Sequence, residues 1–249
     1  MLRGAGTALN VATVLTGSAI GVLLGHRLPE RTRSVVTDGL GLVVLLVAAL
    51  SASAVADPAL SQAVGSSAPV LIVLGAVLVG GIVGSLLRIE ARLEGIGEAI
   101  RRRLPMRDGE ASGHQRFVEG FVTASLVFCV GPLTILGSLD DGLGRGIDKL
   151  ALKATLDGFA AIAFAASLGW GVAASALAIV VVQGSLTALA AALGGLLSEP
   201  QVLAVTATGG LLLVGVALRL LKIKQVPVGD LLPALVVAPL LVQVVLAAR

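Results

Sequence analysis

Apolar residues run along this chain in long blocks, and polar residues gather between the blocks rather than alternating with them. Blocks of about 20 residues match the ~30 Å of hydrocarbon that a transmembrane helix must cross. Eight spans are predicted, at 6–26, 37–56, 68–88, 117–138, 151–170, 173–197, 201–221 and 229–248. Only "SLGWGVAAS" divides the fifth from the sixth, and it offers small residues alone for a turn, so one long bent element is the alternative. A very apolar soluble core would need polar faces at helical spacing, and most blocks have none. The exception is 88–104, where Ile89, Leu93, Ile96 and Ile100 share one face and Glu90, Glu94 and Glu98 another. That period predicts an amphipathic helix at the headgroups or one that docks a partner, with Glu98 and Arg102 paired at i,i+4.

Composition agrees with a polytopic membrane protein. Of the 249 residues, 56% are hydrophobic and 13% charged, against about 25% charged in soluble domains. Five Phe, one Trp and no Tyr leave nothing to interleave with a basic patch, which excludes nucleic acid as a partner. The single cysteine, Cys129, excludes an internal disulfide and a cysteine-based metal cluster. The N-terminal block has Arg3 as its only basic residue and no small-residue cleavage site, and is expected to be a retained first span.

Lysine and arginine then set the expected orientation. They concentrate after span one (Arg27, Arg31, Arg33), after span three and after span seven (Arg219, Lys222, Lys224), while the alternate loops are poor in net positive charge. With eight spans these basic loops share one side. The expectation is a cytoplasmic basic side in the bacterial inner membrane, with both termini outside.

The chain also shows weak self-similarity. "VVTDGLGLVVLLVAALSA" (35–52) resembles "LKATLDGFAAIAFAASLG" (152–169); "GTALNVATVLTG" ahead of the first loosely matches "VTASLVFCVGPLTILG" ahead of the second; Gly80-Gly81 corresponds to Gly194-Gly195. Spans one and four enter from opposite sides, so the reading is a three-plus-three inverted repeat with two additional helices. Inverted repeats that bind at their interface are common in secondary transporters. The expected division is a first repeat unit at 1–104 including the amphipathic helix, a cytoplasmic linker at 105–116, and at 117–249 the second repeat unit with the extra spans.

Candidate chemistry sits where polar residues enter the spans. Gly131-Pro132 breaks the fourth span, because proline has no N–H and clashes with the preceding turn. Irregular backbone at membrane depth survives where it is buried in protein or lines a cavity. A half-helix starting there would aim its positive end at the break. Thr123, Ser125, Cys129, Thr134 and Ser138 surround it in sequence, and Asn10, Thr13 and Thr16 occupy the matching span of the first repeat. A small polar solute, particularly an anion, would suit such a point; a proline kink satisfied by neighbouring helices is the other reading. Ionisable groups inside membranes are expensive and tend to be functional. Asp38 opens span two, and Asp157 lies in span five with Lys153 one turn before it, either as a structural ion pair or as a proton- or cation-linked coupling group. Gln183 in span six and Asn10 can bridge helices or touch a ligand. Gly17, Gly21 and Gly25, and Ala76, Gly80 and Gly84, form small-residue ridges for close packing. His26 and His114 suggest no metal site, and no phosphate loop, zinc motif or catalytic triad is present, so neither an enzyme nor a cofactor is expected.

The stretches "GTALN", "GVLLGHRLPE", "RIEARLEGIG", "GFVTASLVFCVGPLTILGSLDDGL", "LKATLDG", "FAASLGWGVAASA" and "QG" at 183–184 resemble the bacterial membrane family known as domain of unknown function five-five-four. The likeness spans nearly the whole chain and implies an uncharacterised or transport-type membrane protein. The leading expectation is a secondary transporter of a small polar solute or ion, coupled to protons or cations, in the lipid bilayer and as a possible homo-oligomer. The alternative is a channel-like or non-transporting membrane protein, such as a sensor or assembly factor.

Overall fold

The computed structural model describes residues 3–25, 27–103, 111–193 and 197–248. Residues 105–110 of the expected linker, His26 and Gly194-Gly195 lie outside the described residues. The described chain is all helical. In order come α1 (Ala5–Gly25), α2 (Glu30–Ala52) with a 3₁₀ turn at Ser53–Ala56, α3 (Pro58–Val64), α4 (Ala68–Leu87), α5 (Ile89–Arg103), α6 (Ala111–Cys129) and α7 (Pro132–Gly142). Then follow α8 (Asp148–Leu168), α9 (Gly171–Leu193), α10 (Glu199–Leu220), α11 (Val228–Leu231) and α12 (Ala234–Ala247).

Among the described residues seven helices are long and apolar enough to cross a membrane, α11 and α12 together making the last. An eighth candidate is a broken one, Gln115–Cys129 followed by Leu133–Gly142, bent by 64°. Leu42, Leu46 and Leu50 on α2 and Leu71, Leu74, Leu78 and Leu86 on α4 are exposed, as bilayer-facing side chains must be when the solvent is itself apolar. The protein is a multi-pass membrane protein.

The boundaries follow local chemistry. Asp57 caps α3, its carboxylate accepting from the Ala59 N–H at 2.8 Å, with Pro58 at the first helical position. Ser198 and Gln201 form a capping box at the start of α10. α8 and α9 are separate helices: Gly169 takes φ +76°, a conformation open to glycine, and ends α8. The amphipathic segment forms α5, with the Arg102–Glu98 pair at 3.6 Å. The fourth span differs most from expectation. It ends at Gly142 rather than 138, so Asp140 and Asp141 belong to helix α7 and not to the following loop.

Contacts gather the chain into two units. The first holds Met1–Leu40, Ala91–Cys129 and Leu133–Gly194; the second holds Gly41–Glu90, Val130–Pro132 and Gly195–Arg249.

In the first unit α1 packs on α8 backbone against backbone at its glycines, while Asn10 and Leu150 put side chains into the seam nearer its start. A Cβ on Gly17, Gly21 or Gly25 would overlap backbone of Gly158, Ile162 or Ala166 respectively. The numbering rises together on both helices, so α1 and α8 run parallel. In a chain whose long helices each cross, parallel neighbours need an odd number of crossings between them. Here the crossings are α2, α4 and the α6–α7 pair, so the broken pair must count as one. A second register agrees. Gly171 at the start of α9 abuts Phe117 and Phe121 of α6, while Gly142 at the end of α7 abuts Thr187 and Ala190 near the end of α9. The bent pair thus runs the length of α9.

In the second unit the pairings made at glycines are antiparallel. Gly80 and Gly84 of α4 meet Ala234 and Asp230, and Gly210 of α10 meets Ala48 and Ala52 of α2, with Gly41 of α2 meeting Leu220 and Leu221 at the other end of α10. Where α4 turns into α5, Arg88 adopts a left-handed conformation with φ 51°. Glu90 beyond the turn is fixed from several sides. Its carboxylate accepts from Arg219 and from the Gly229 N–H, and its own N–H donates to the Asp230 carboxylate at 2.9 Å.

Candidate functional site

Polar side chains in the first unit converge from the first halves of α1 and α8 and the middle of α9. Asn10 of α1, Gln183 of α9, and Lys153 and Asp157 of α8 are all buried. Asn10 Nδ2 donates to Asp157 Oδ2 at 3.0 Å and to Gln183 Oε1 at 3.3 Å. Lys153 Nζ forms an ion pair with the same Asp157 oxygen. The i,i+4 spacing on α8 puts amine and carboxylate on one face, and the close α1–α8 approach brings Asn10 within reach. Cys129 is half-buried at the end of α6. Its neighbour Phe128 meets Phe164 of α8, so the end of α6 packs on the helix that carries the ion pair.

The break has its own internal repair. In an unbroken helix the Phe128 carbonyl would accept from the N–H of residue 132, and proline has none. The Thr134 hydroxyl donates to that carbonyl instead, at 3.3 Å. Phe128 is also held by an edge-to-face contact with Phe164 of α8, with ring centroids 6.1 Å apart. Thr134 is thus engaged in bridging the kink.

The other expected residues separate into two groups. Ser125 and Ser138 are buried with hydroxyls that find no protein partner among the described residues, and Thr123 is buried beside them in sequence. Thr13 and Thr16 are turned onto their own helix, donating to the carbonyls of Asn10 at 3.0 Å and Ala12 at 2.7 Å. Asp38 is exposed on α2 and is not brought to Asp157. Gly131 is half-buried and open, with nothing near the position of a Cβ; it and Pro132 group with the second unit.

Several polar residues were missed by sequence reasoning. Asp141 is buried and clamps the start of α1, accepting from the N–H groups of Gly4 at 3.0 Å and Gly6 at 3.1 Å. A carboxylate at the positive end of a helix is favourably placed. Thr7 and Thr187 are buried with unpartnered hydroxyls. The available signal was spacing: Thr7 precedes Asn10 by three residues and Thr187 follows Gln183 by four, so each shares a helix face with a residue already singled out. Two further atoms in the centre lack protein partners among the described residues, Asn10 Oδ1 and Gln183 Nε2. The site thus offers an acceptor, a donor and hydroxyls that can act as either. No group of three or more potential metal ligands occurs among the described residues.

Comparison with known proteins gives a family without an assigned activity. The family model described as a protein of unknown function (DUF554) matches residues 5–243. The chain is 32% identical over 236 residues to an uncharacterized protein, YqgA, of Escherichia coli K12, covering 94% of each. It is 26% identical over 240 residues to an uncharacterized membrane protein, YdfK, of Bacillus subtilis 168, covering 96% of each. No solved structure matches. With the family model covering almost the whole chain, and a relative aligned end to end in which one residue in three is identical, the chain belongs to the DUF554 family.

Proposed function

We propose that this protein is a secondary transporter of a small polar solute or ion, and that the buried cluster of Asn10, Lys153, Asp157 and Gln183 is its coupling and binding centre. The observation that carries the reading is the state of the polar atoms there. A buried ion pair at membrane depth is costly to desolvate. It is retained here together with hydrogen-bonding atoms that the protein leaves open. A purely structural pair would be expected to have its neighbours satisfied. Open donors and acceptors beside a charge that can be gained or lost are what a coupled binding site requires.

The span arrangement supports the same reading. Asp141 at the end of α7 meets the start of α1, so α1 and the α6–α7 pair run in opposite directions, as an inverted repeat demands of its first members. The basic residues following α1, α4 and α10 favour a cytoplasmic placement of those ends, hence outward termini in the bacterial inner membrane. In a Cys129→Ser background, Ser66→Cys should label from outside and Lys224→Cys only after permeabilisation. Labelling of both from one side would remove the topology on which this reading rests.

The functional test is electrical. Purified protein in proteoliposomes on a solid support should give transient currents on concentration jumps of one or more members of a panel of amino acids, small carboxylates, sodium and protons. Asp157→Asn should lose those currents while keeping the oligomeric profile of the wild type. Wild-type currents that persist unchanged in Asp157→Asn would reduce the pair to a structural role.

A further inference from the structure

An open groove of about 670 Å³ runs between α1 and α9, walled mostly by apolar residues such as Val11, Leu15 and Val180, with Arg3 at one end and Thr7 and Thr187 as its polar side chains along its length. Two of its lining residues carry the buried unpartnered hydroxyls, Thr7 and Thr187. One turn further along each helix stand Asn10 and Gln183, with an open acceptor and an open donor respectively. The seam thus bears four unpartnered polar atoms in two successive layers, and the second layer ends on Asp157 through the Asn10 hydrogen bond. A buried polar atom left unpaired carries a desolvation cost that a bound water would relieve. Layers three to four residues apart lie about 4.5–6 Å apart along a helix, close to the span that one bridging water covers.

We infer that the α1–α9 seam is a solvated access path joining this groove to Asp157, and that it delivers water and the protons water carries rather than a metal cation. The inference rests on the proposed coupling role of Asp157. Hydroxyls and water both donate and accept, which suits proton relay. A bare cation would meet the Gln183 amide N–H₂ and then the Lys153 ammonium, both repulsive to it. Lys153 on its own helix is the titratable group paired with Asp157. α1 and α9 present Asn10 and Gln183 at this level, and Asp141 stands beyond Thr7 at the start of α1.

The test is thiol accessibility in permeabilised membranes, where orientation does not matter. In a Cys129→Ser background, Thr7→Cys, Thr187→Cys and Asp157→Cys should react with a small charged methanethiosulfonate at least tenfold faster than Leu189→Cys, an exposed position of α9. Gly184 has nothing within 4 Å of a Cβ position, so Gly184→Leu should fold, fill the groove and slow modification of Asp157→Cys about tenfold. Exchanging sodium for choline should leave these rates unchanged. Thr7→Cys and Thr187→Cys as inert as Leu189→Cys would show a dry seam and overturn the inference, and these two variants decide it even if Asp157→Cys misfolds. Protection by sodium would place a cation in the path and overturn the proton assignment. Labelling needs no turnover, so a dry seam with Asp157-dependent currents sinks this inference alone, and a wet seam without such currents sinks the transport reading alone.

Discussion

The two units solve the problem of packing helices in a membrane in opposite ways. All of the buried side-chain atoms without protein partners, among the described residues, lie in the first unit, on Thr7, Asn10, Ser18, Ser125, Ser138, Gln183 and Thr187. The second unit is joined by glycine contacts, and of its buried hydroxyls at Ser51, Thr206 and Thr208 the last is turned onto its own helix, donating to the Ala204 carbonyl at 2.8 Å. Its charged group, Glu90 with Arg219 and Asp230, sits at the end of α4 and closes a turn. Lipid tails give helices no hydrophobic reason to associate, so close backbone contact and hydrogen bonds must do it. The second unit uses mainly the first of these. The first unit uses both, and keeps polar capacity in excess of what its own packing consumes. That excess is the difference between the two units on which the proposed function rests.

The comparison is most exposed at Lys153. Lys153→Met leaves Asp157 charged and buried without its partner, and thermal unfolding in detergent should show a loss of about 3–5 kcal/mol. Asp157→Asn should be destabilising too, since it strands the buried Lys153 ammonium, with the Asn10 bond to the new amide as its partial offset. If Lys153→Met melts like the wild type, the polar centre is already hydrated enough to stand alone, and the contrast between units collapses.

Next in size is Gly84→Ala in the second unit, where a Cβ would overlap the Asp230 carbonyl. Overpacking of this kind costs about 1–3 kcal/mol. It should lower the melting temperature and leave the currents of folded protein intact. Lost currents in well-folded Gly84→Ala would show that the second unit takes part in transport rather than supporting it.

A smaller effect tests the repaired kink. Thr134→Val should cost about 0.5–1.5 kcal/mol in the wild type, because the Phe128 carbonyl loses its donor. In a Pro132→Ala background the restored N–H can serve that carbonyl, and the cost of Thr134→Val should fall towards zero. Equal costs in both backgrounds would show that the hydroxyl does not replace the missing donor. Smallest of all, Thr16→Val should stay within about 0.5 kcal/mol and leave currents unchanged, since its hydroxyl is exposed and bonded to its own helix.

Much of this fold could be read from the sequence because length and apolarity are enough to mark a span. The end of the fourth span could not. "LDDGLG" looks like a loop, and α7 continues through it because α1's amides receive the Asp141 charge from a position 137 residues away in sequence. The ridge of Gly17, Gly21 and Gly25 announced close packing, but nothing local named α8 as the partner. Glu90 looked like one acidic position on a surface helix, and its ion partner lies 129 residues away. The site was legible in part. Lys153 and Asp157 share a face by spacing alone, and Asn10 and Gln183 stand out as amides in apolar runs. Thr134 pointed to the break for the wrong reason, since its hydroxyl mends the kink, and Thr7 and Thr187 look unremarkable until their burial is known.

The parallel seam of α1 and α8 also governs how the first unit can move. Three glycines seat the backbone of one helix against the backbone of the other, so along that stretch no large side chain can slide or re-pack. Advancing either helix by one residue would drive Cβ atoms into carbonyls, so the two must travel as a single rigid body. On the proposed transport reading, opening and closing around Asp157 falls at the boundary where α9 faces that body. There the groove leaves room, and Gly184 has no neighbour within 4 Å of a Cβ position to resist it. Cross-linking α1 to α8 should therefore leave the working cycle intact, whereas a tether between α1 and α9 should arrest it.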